Sequence, residues 1–410
     1  MKILKASYLL TFDDSFQLIR NGAVVFDRQI RQVARLAEIR KKYPQLEVVD
    51  LGPDSVLMPG LINAHVHLEF SANATSLQYG SFPEWLDSVA KHGKALTRKA
   101  TTALIAAQLD AMVRSGTTTL GAISSYSRDL PALLQSPLNK VFFCEALGNK
   151  AHTKAAALAD LKTRLAAASQ HHSANFHSGV AIHSPYSSHR SLTRAALALA
   201  RAKNLAVTAH FLESAEEKHW LEHRQGSMLQ LFSPRSRPKR SRALAFLQLF
   251  AGLENVSFTH CVAAGAEELA AIAALGATIN HCPTSNRLLS NARLELERLQ
   301  QIELAIGTDG LSSNTSLSMF DELRTALNIH YQQDARVLAR TLLAAATVGG
   351  AKALGFASCK GRLVAGHDAD ITGFCLPAKL ENTADIYLHA ILHTRQVDIA
   401  VIGGEVVRWS

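Results

Sequence analysis

The fold of this chain is indicated first by one stretch, Gly60-Leu61-Ile62-Asn63-Ala64-His65-Val66-His67. It follows an apolar run, Ser55–Pro59, that is typical of a buried strand. In an extended segment residues i and i+2 point to the same side, so the rings of His65 and His67 can bind one ion. A single His-x-His pair is weak evidence, because most such pairs at a protein surface bind nothing. The prediction of a metal site therefore depends on further ligand-type residues, each of which follows another apolar run: His210, His260 and Asp309.

The composition indicates a soluble enzyme-sized protein. Of the 410 residues, 48% are hydrophobic, which allows a large core and excludes global disorder. The five cysteines are odd in number and never form Cys-x-x-Cys, which argues against a disulfide framework and against a thiolate zinc site. We find no secretory h-region and no long uncharged apolar run, so we expect a cytoplasmic protein without membrane partners.

The formal charge of +9 is concentrated in Arg235-Ser236-Arg237-Pro238-Lys239-Arg240-Ser241-Arg242. Such a charge could serve nucleic acid or an anionic small substrate. No aromatic residue alternates with these arginines and no nucleic-acid motif accompanies them, so we expect no nucleic-acid partner. A solvated loop is the favoured interpretation, and a phosphate-binding patch or lid is the alternative.

The order of apolar runs predicts an α/β fold, a TIM-like (β/α)8 barrel. From Ser55 onward short apolar runs alternate with longer Ala/Leu-rich helical segments, and eight such units fit a closed parallel barrel better than an open sheet. The predicted strands are Val56–Ile62, Thr117–Ile123, Val141–Leu147, Gly179–His183, Leu205–His210, Val256–His260, Ala277–His281 and Leu304–Thr308. Both termini are rich in strand and turn residues, so residues 1–55 and 359–410 are predicted to form a small β-sandwich beside a barrel of residues 56–358.

Barrel enzymes carry their chemistry at the carboxyl ends of the strands. The predicted strand ends bear these ligand-type residues: His65, His67, Glu145, His183, His210, His260, His281 and Asp309. Three or four nitrogen and oxygen ligands around a divalent ion, with one position open, are what metal-assisted hydrolysis needs. We predict His65, His67, His210 and Asp309 as the ligands. Glu213 is the candidate proton shuttle, and His260 is placed to hydrogen-bond the attacking hydroxide or the developing oxyanion.

Each assignment has a plainer alternative. Asp309 precedes a glycine, which is common in a turn. Glu213 could be a solvated acid in the first turn of a helix, and His260 a hydrogen-bonded core histidine. The joint arrangement at one face of a barrel favours the metal site over these separate explanations.

Taken together, the motifs resemble the amidohydrolase superfamily. They are Met58-Pro59-Gly60-Leu61-Ile62-Asn63-Ala64-His65-Val66-His67, His210-Phe211-Leu212-Glu213, Thr259-His260-Cys261, His281-Cys282-Pro283-Thr284-Ser285-Asn286 and Gly307-Thr308-Asp309-Gly310. The resemblance implies one divalent ion, zinc or iron, bound by His65, His67, His210 and Asp309. It also assigns proton transfer and transition-state stabilisation to Glu213 and His260. The fourth predicted strand does not end in the lysine that bridges binuclear members, which favours one ion.

A narrower resemblance is to the aminofutalosine deaminases of the futalosine route to menaquinone. It is carried by Glu69-Phe70-Ser71, Tyr79-Gly80-Ser81-Phe82, Ser285-Asn286-Arg287-Leu288-Leu289-Ser290 and Thr308-Asp309-Gly310-Leu311-Ser312-Ser313-Asn314, among others. It implies an adenine nucleoside with a benzoate at its far end, 6-amino-6-deoxyfutalosine, as substrate. Metal hydroxide would attack C6 of the purine, with Asp309 taking a proton, and futalosine and ammonia would form.

The same resemblance suggests residues around the substrate. Those expected to contact it are His183, Glu145, Arg287, Asn286, Ser124, Tyr186 and Ser313. Arg287 is the candidate for the benzoate, since a guanidinium binds a carboxylate with two hydrogen bonds, and a surface pair with Glu295 is its alternative. Relatives of this kind are often homodimers, and we expect one here.

Other functions remain open at this stage. The same residues could deaminate S-adenosylhomocysteine, methylthioadenosine or adenosine, or hydrolyse an amide or a chloro-triazine. A catalytically silent scaffold and a nucleic-acid binder that uses the basic stretch are the alternatives outside enzymes.

Overall fold

The computed structural model describes residues 1–230, 242–299 and 301–408. Its strands are β1 (Lys2–Leu10), β2 (Leu18–Phe26), β3 (Ile30–Arg35), β4 (Val48–Asp50), β5 (Ser55–Pro59), β6 (Leu61–Val66), β7 (Thr117–Ser124), β8 (Asn139–Ala146), β9 (Phe176–Ile182), β10 (Ala206–Phe211), β11 (Val256–His260), β12 (Thr278–His281), β13 (Leu304–Ile306), β14 (Ile371–Cys375), β15 (Ile399–Ile402) and β16 (Glu405–Arg408). Its α-helices are α1 (Leu36–Lys42), α2 (Phe82–Lys99), α3 (Thr102–Arg114), α4 (Leu130–Gln135), α5 (Lys154–Ser169), α6 (Arg190–Ala202), α7 (Ala215–His223), α8 (Arg242–Leu247), α9 (Ala266–Ala274), α10 (Pro283–Leu288), α11 (Met319–Ile329), α12 (Ala335–Ala344), α13 (Gly350–Ala353) and α14 (Ile386–His393).

Strands β6 to β13 form a parallel barrel in sequence order, which confirms the predicted fold. Each strand pairs with the next, from β6 with β7, where the register shifts twice, through β12 with β13. The circle closes where the backbone N–H of Asp309 donates to the carbonyl of His65 at 3.0 Å. The last strand end therefore lies directly beside the first.

The sequence explains why these segments are strands and helices of a barrel. Every residue of β7 and of β8 is buried, as expected for strands covered on both faces. The helices bury one stripe instead. In α6 this stripe comprises Leu192, Ala196, Leu197 and Ala200, whose spacing places them on the side that faces the barrel.

The two termini meet in one separate sheet, as predicted. Its strand order is β16-β15-β14-β5-β1-β2-β3, with β4 paired to β1. Strand β14, from the C-terminal segment, is antiparallel to β5, from the N-terminal one. The C-terminal segment also contributes α14, which packs against α12 of the barrel.

The single strand predicted over Val56–Ile62 was wrong, because the structure has two strands there that belong to different sheets. Gly60 separates them. A Cβ atom at position 60 would come within 2.1 Å of the Thr118 hydroxyl, so only glycine fits where the chain passes from one sheet into the other. Continuous hydrophobicity conceals this break, since both strands are fully buried.

Two further predictions concern the basic stretch and the absence of a membrane span. The basic stretch from Arg235 lies outside the described residues except for Arg242, which begins α8. Within the described part of the chain, no helix has both the length and the apolar character needed to cross a membrane.

Candidate metal and catalytic site

A cavity of about 440 Å³ opens at the carboxyl ends of the barrel strands. Its size lies in the range of small-molecule sites. It is lined by His67, Phe70, Trp85, Leu86, Val89, Ala90, Gly93, Lys94, Ser125, Tyr126, Glu145, Leu147, His183, Tyr186, Ser187, His210, Glu213, His260, Asp309 and Ser312. The predicted catalytic side chains thus face one space.

Four of the predicted ligands converge at the floor of this cavity. The Nε2 atom of His67 lies 3.2 Å from Nε2 of His65 and 3.2 Å from Nε2 of His210. Asp309 presents Oδ1 at 3.8 Å from His65 Nε2 and at 3.6 Å from His67 Nε2. All four side chains are buried, and their nearest ligand atoms lie within 4.8 Å of one another.

Hydrogen bonds on the far sides of the rings orient two of these histidines. His210 donates from Nδ1 to the carbonyl oxygen of His183 at 2.7 Å, which leaves Nε2 with its lone pair toward the cluster. The Nδ1 atom of His65 lies 3.1 Å from the hydroxyl of Thr259, which in turn accepts a bond from Asn280. Partners of this kind fix both the tautomer and the ring plane of metal-binding histidines.

This donor set fits one divalent ion. Three imidazole nitrogens and one carboxylate oxygen point at a common position, and lone pairs so close together repel one another unless a cation or a proton lies between them. The mixture of nitrogen and oxygen ligands suits zinc and also iron.

The backbone around Asp309 shows how closely β13 must approach β6. Asp309 has a positive φ of 57°, a region that non-glycine residues rarely occupy. A Cβ atom on Gly307 would come within 2.8 Å of His65, and one on Gly310 within 2.8 Å of His67. The two glycines therefore allow the carboxylate to reach the histidine pair.

Glu213 and His260 form the second half of the floor, beside the ligand cluster. His260 Nε2 lies 3.7 Å from Glu213 Oε1 and 3.9 Å from Asp309 Oδ2. Both His260 Nε2 and Glu213 Oε1 are buried and lack a hydrogen-bond partner in the described part of the chain. Buried polar atoms without partners are costly, and at the edge of a cavity they are expected to serve a ligand.

Burial and neighbouring charges set the protonation of these groups. Burial, reinforced by Asp309 and Glu217, raises the pKa of Glu213 well above its usual range. Burial lowers the pKa of His260, although Asp309 opposes this effect. For Asp309, burial raises the pKa but His67, His260 and His65 lower it more, to about 2. The environment of the floor thus favours the protonated form of Glu213 and the ionised form of Asp309.

Of the seven predicted substrate contacts, three line the cavity: His183, Glu145 and Tyr186. The ring of His183 is fixed by a 2.6 Å contact between its Nδ1 and the Ser187 hydroxyl. Glu145 accepts a hydrogen bond from the Ser125 hydroxyl, and its other carboxylate oxygen is buried without a partner in the described part of the chain.

The other four do not line the cavity. Asn286 accepts from Nδ1 of His260 at 2.9 Å, Ser313 donates to Asp309 at 3.0 Å, and Ser124 donates to Asp129 at 2.6 Å. These side chains hold other groups in place. Arg287 is exposed on α10, and Glu295, its suggested surface partner, pairs with Arg298 instead.

Two features of the cavity were missed from the sequence. One face of α2 forms a wall, although the motif Tyr79-Gly80-Ser81-Phe82, which leads into this helix, was not assigned a place in the cavity. Glu69 is buried and accepts hydrogen bonds from the backbone N–H groups of Ser125, Tyr126 and Arg128, so it holds the loop after β7. A buried glutamate directly after the histidine pair was the available signal.

Comparison with known proteins agrees with this geometry. The profile of the amidohydrolase family matches residues 56–407. The chain is 41% identical to the aminodeoxyfutalosine deaminase of Nitratiruptor sp. over 408 residues, which cover 99% of each chain. It is 34% identical to an adenosine deaminase of Helicobacter pylori, over 98% of this chain and 99% of the relative.

A solved structure shows the same architecture. The crystal structure of Helicobacter pylori aminofutalosine deaminase in complex with methylthio-coformycin matches with a TM-score of 0.92 at 32% identity. The match covers 99% of this chain and 100% of the Helicobacter pylori chain. By its sequence, its fold and the family match, this chain belongs to the amidohydrolase family of metal-dependent hydrolases.

Proposed function

We propose that the protein is a hydrolytic deaminase of an adenine nucleoside, with 6-amino-6-deoxyfutalosine as its substrate and futalosine and ammonia as products. The observation that carries this proposal is the pair of facing groups at the cavity floor. Asp309, whose pKa is lowered, belongs to the histidine cluster, and Glu213, whose pKa is raised, lies beside it. Their carboxylate oxygens lie 3.9 Å and 3.7 Å from the same atom, Nε2 of His260. Deamination of a purine needs a proton acceptor and a proton donor in this arrangement.

His65, His67, His210 and Asp309 would hold the ion. When bound, a divalent ion lowers the pKa of its water to about 7 and so supplies a nucleophile at neutral pH. The remaining steps depend on the side chains of the chain itself.

Protons then move between named atoms. Asp309 accepts a proton from the attacking water while Glu213 donates one to N1 of the purine, which makes C6 more electrophilic. A C–O bond forms at C6. The proton on Asp309 passes to the amino group, the C6–N bond breaks and ammonia leaves, while Glu213 regains a proton from the new hydroxyl. Water and the amino nucleoside are converted in this way to ammonia and the 6-oxo product, with both carboxyl groups restored.

His260 assists through Nε2, which lies close to both acids. Because its Nδ1 donates to Asn286, neutral His260 offers Nε2 as an acceptor to the attacking water. When protonated, it would donate from the same atom to the oxyanion that develops at C6. His183, Tyr186 and Glu145 are proposed as walls for the rest of the nucleoside.

The test is a panel of adenine nucleosides incubated with zinc-loaded or iron-loaded protein, with ammonia and the adenine-to-hypoxanthine absorbance change as readouts. Turnover of 6-amino-6-deoxyfutalosine with the highest kcat/KM of the panel is expected. No ammonia from this compound, together with release from another nucleoside, would refute the specific substrate. No turnover of any member would refute the deaminase assignment.

The second candidate is deamination of adenosine, methylthioadenosine or S-adenosylhomocysteine. The 34% identity to an adenosine deaminase favours keeping adenosine in the panel. An amide or chloro-triazine hydrolase remains the third candidate, and it would release no ammonia from any adenine nucleoside.

Four further proposals follow from the family resemblance. We propose one zinc or iron ion per subunit, a role in menaquinone biosynthesis, a cytoplasmic location and a homodimer. Elemental analysis of protein purified from its native cell tests the metal, and quinone analysis of a deletion strain tests the role in menaquinone biosynthesis. Cell fractionation tests the location, and analytical ultracentrifugation tests the homodimer.

A further inference from the structure

The wall of the cavity above the catalytic floor is one face of α2. The residues of α2 that line it are Trp85, Leu86, Val89, Ala90, Gly93 and Lys94. They recur at intervals of three to four positions, so one helical face borders the cavity over more than two turns. All but the last are apolar or lack a side chain, and Phe70 adds a further aromatic ring.

Gly93 makes room in this wall. A Cβ atom at position 93 would lie 3.2 Å from Cγ1 of Val89 and 3.5 Å from Cε1 of Phe70. Because glycine is less favourable than alanine in the interior of a helix, its presence in the middle of α2 needs a reason. The close packing of the Phe70 ring against the helix at this position is such a reason, and it gives the wall a flat apolar surface beside the cavity.

Lys94 follows directly in α2, lines the same cavity and is exposed. Among the described residues that line the cavity, it is the only lysine or arginine, whereas Glu145, Glu213 and Asp309 supply carboxylates nearer the floor. Lys94 itself is exposed, and no carboxylate of the described chain lies within ion-pair distance of it. Its neighbour Lys91, by contrast, pairs with Asp87.

From this arrangement we infer that α2 forms the specificity subsite for the end of the nucleoside remote from the purine, and that it selects a flat apolar group that ends in a carboxylate bound by Lys94. The inference rests on the proposed function for the position of the purine at the floor. An anionic group elsewhere in the cavity would meet the carboxylates of the floor, so charge complementarity places it at Lys94. This assignment takes the place of Arg287, which does not reach the cavity.

The experiment compares two probes, an adenosine derivative whose 5′ substituent ends in a benzoate and the matching derivative that ends in a benzamide. For Lys94→Met, we expect the ratio of kcat/KM between benzoate and benzamide probes to fall by about 10-fold or more, since hydrogen bonds to charged groups are strong. Lys91→Met, on the same helix but outside the cavity, should leave the ratio unchanged. An unchanged ratio in Lys94→Met would overturn the inference.

A second variant tests the apolar part of the subsite without altering charge. Gly93→Leu should raise KM for both probes at least about 10-fold, because the leucine side chain would displace Val89 and Phe70, which line the cavity. Gly93→Ala adds only the Cβ atom, improves helix propensity and serves as the folding control. An unchanged KM in Gly93→Leu would also overturn the inference.

A binding measurement separates this inference from the proposed function, because it does not depend on turnover. Calorimetry measures how tightly the protein binds the 6-oxo counterpart of the benzoate probe. Weaker binding to Lys94→Met than to the unmodified protein would support the subsite even if no nucleoside were deaminated. Equal binding, with active turnover by the unmodified protein, would leave the deaminase standing and refute the role of Lys94.

Discussion

The floor and the α2 wall of the cavity are built in opposite ways. On the floor, side chains from the ends of β6, β10, β11 and β13 meet, and hydrogen bonds behind them fix most of their polar atoms. The wall is a helical face of apolar residues that ends in one exposed cation. The floor is thus held together by directional hydrogen bonds, whereas a substitution on the apolar face of the wall would leave those bonds in place. In our proposals, reaction and substrate choice belong to these two separate parts of the structure.

The largest effect is expected from His65→Ala. Loss of one of three nitrogen ligands should remove the bound metal and reduce deamination to background, because the remaining donors no longer surround the ion. Metal content by elemental analysis and ammonia release are the measurements. His152→Ala, at an exposed position, is the matched control. Full metal content and full activity in His65→Ala would show that the floor is not a metal site.

Glu213→Gln should lower kcat by about 10²–10⁴-fold, the contribution usual for general acid–base catalysis. The amide keeps the shape of the side chain but cannot give up a proton, so metal content and the melting temperature should stay close to those of the unmodified protein. Glu216→Gln, exposed in the first turn of α7, is the control. A kcat within twofold of the original would exclude Glu213 as the proton donor.

Thr259→Val tests the support behind the floor. The valine keeps the volume but removes the hydroxyl that contacts His65 Nδ1, and outer partners of this kind are worth about 10–100-fold in metal affinity or activity. A competition titration with a chelator measures the effect. Thr208→Val, whose hydroxyl pairs with Ser257 lower in the barrel, should have little influence on metal affinity. Equal affinities in both variants would contradict the support role.

The smallest effect is expected for the stability of the fold in acid, and it depends on His330, which lies just outside the floor. His330 is buried, with its Nε2 3.1 Å from Nε2 of His281 and its Nδ1 2.8 Å from Arg293. Burial is the main cause that lowers the pKa of His330 from 6.5 to about 4, and the positive charge of Arg293 is the second cause. His330 therefore binds a proton more readily in the unfolded chain than in the folded protein. The stability that neutral, buried His330 contributes is complete above the pKa of the unfolded state, and it is lost as the pH falls toward the pKa of the folded state.

Between about pH 7 and about pH 5 the loss should be about 2 kcal/mol in the free energy of unfolding. His330→Gln should show a smaller loss over the same interval, measured by denaturant titration at both pH values. An identical pH dependence in the two proteins would exclude His330 as an acid-sensitive site.

Much of the floor could be predicted from the sequence because its residues stand at strand ends. A parallel barrel brings all carboxyl ends to one face, so His65, His210 and Asp309 could be placed together without knowledge of any contact. The wall could not be predicted in this way. Trp85, Gly93 and Lys94 belong to a helix between strands, and helical periodicity shows that a helix has a buried face but not what covers it.

The sequence by itself determined the barrel, the pairing of the termini and the strand-end positions of the four candidate ligands, because hydrophobic periodicity and the order of strand-end residues are local properties of the chain. Only the tertiary structure decided that Gly60 divides one apolar run between two sheets, that Asn286, Ser313 and Ser124 support other side chains, and that Arg287 lies outside the cavity. The physical reason is that the direction of a side chain and the partner it meets depend on residues that are distant in sequence.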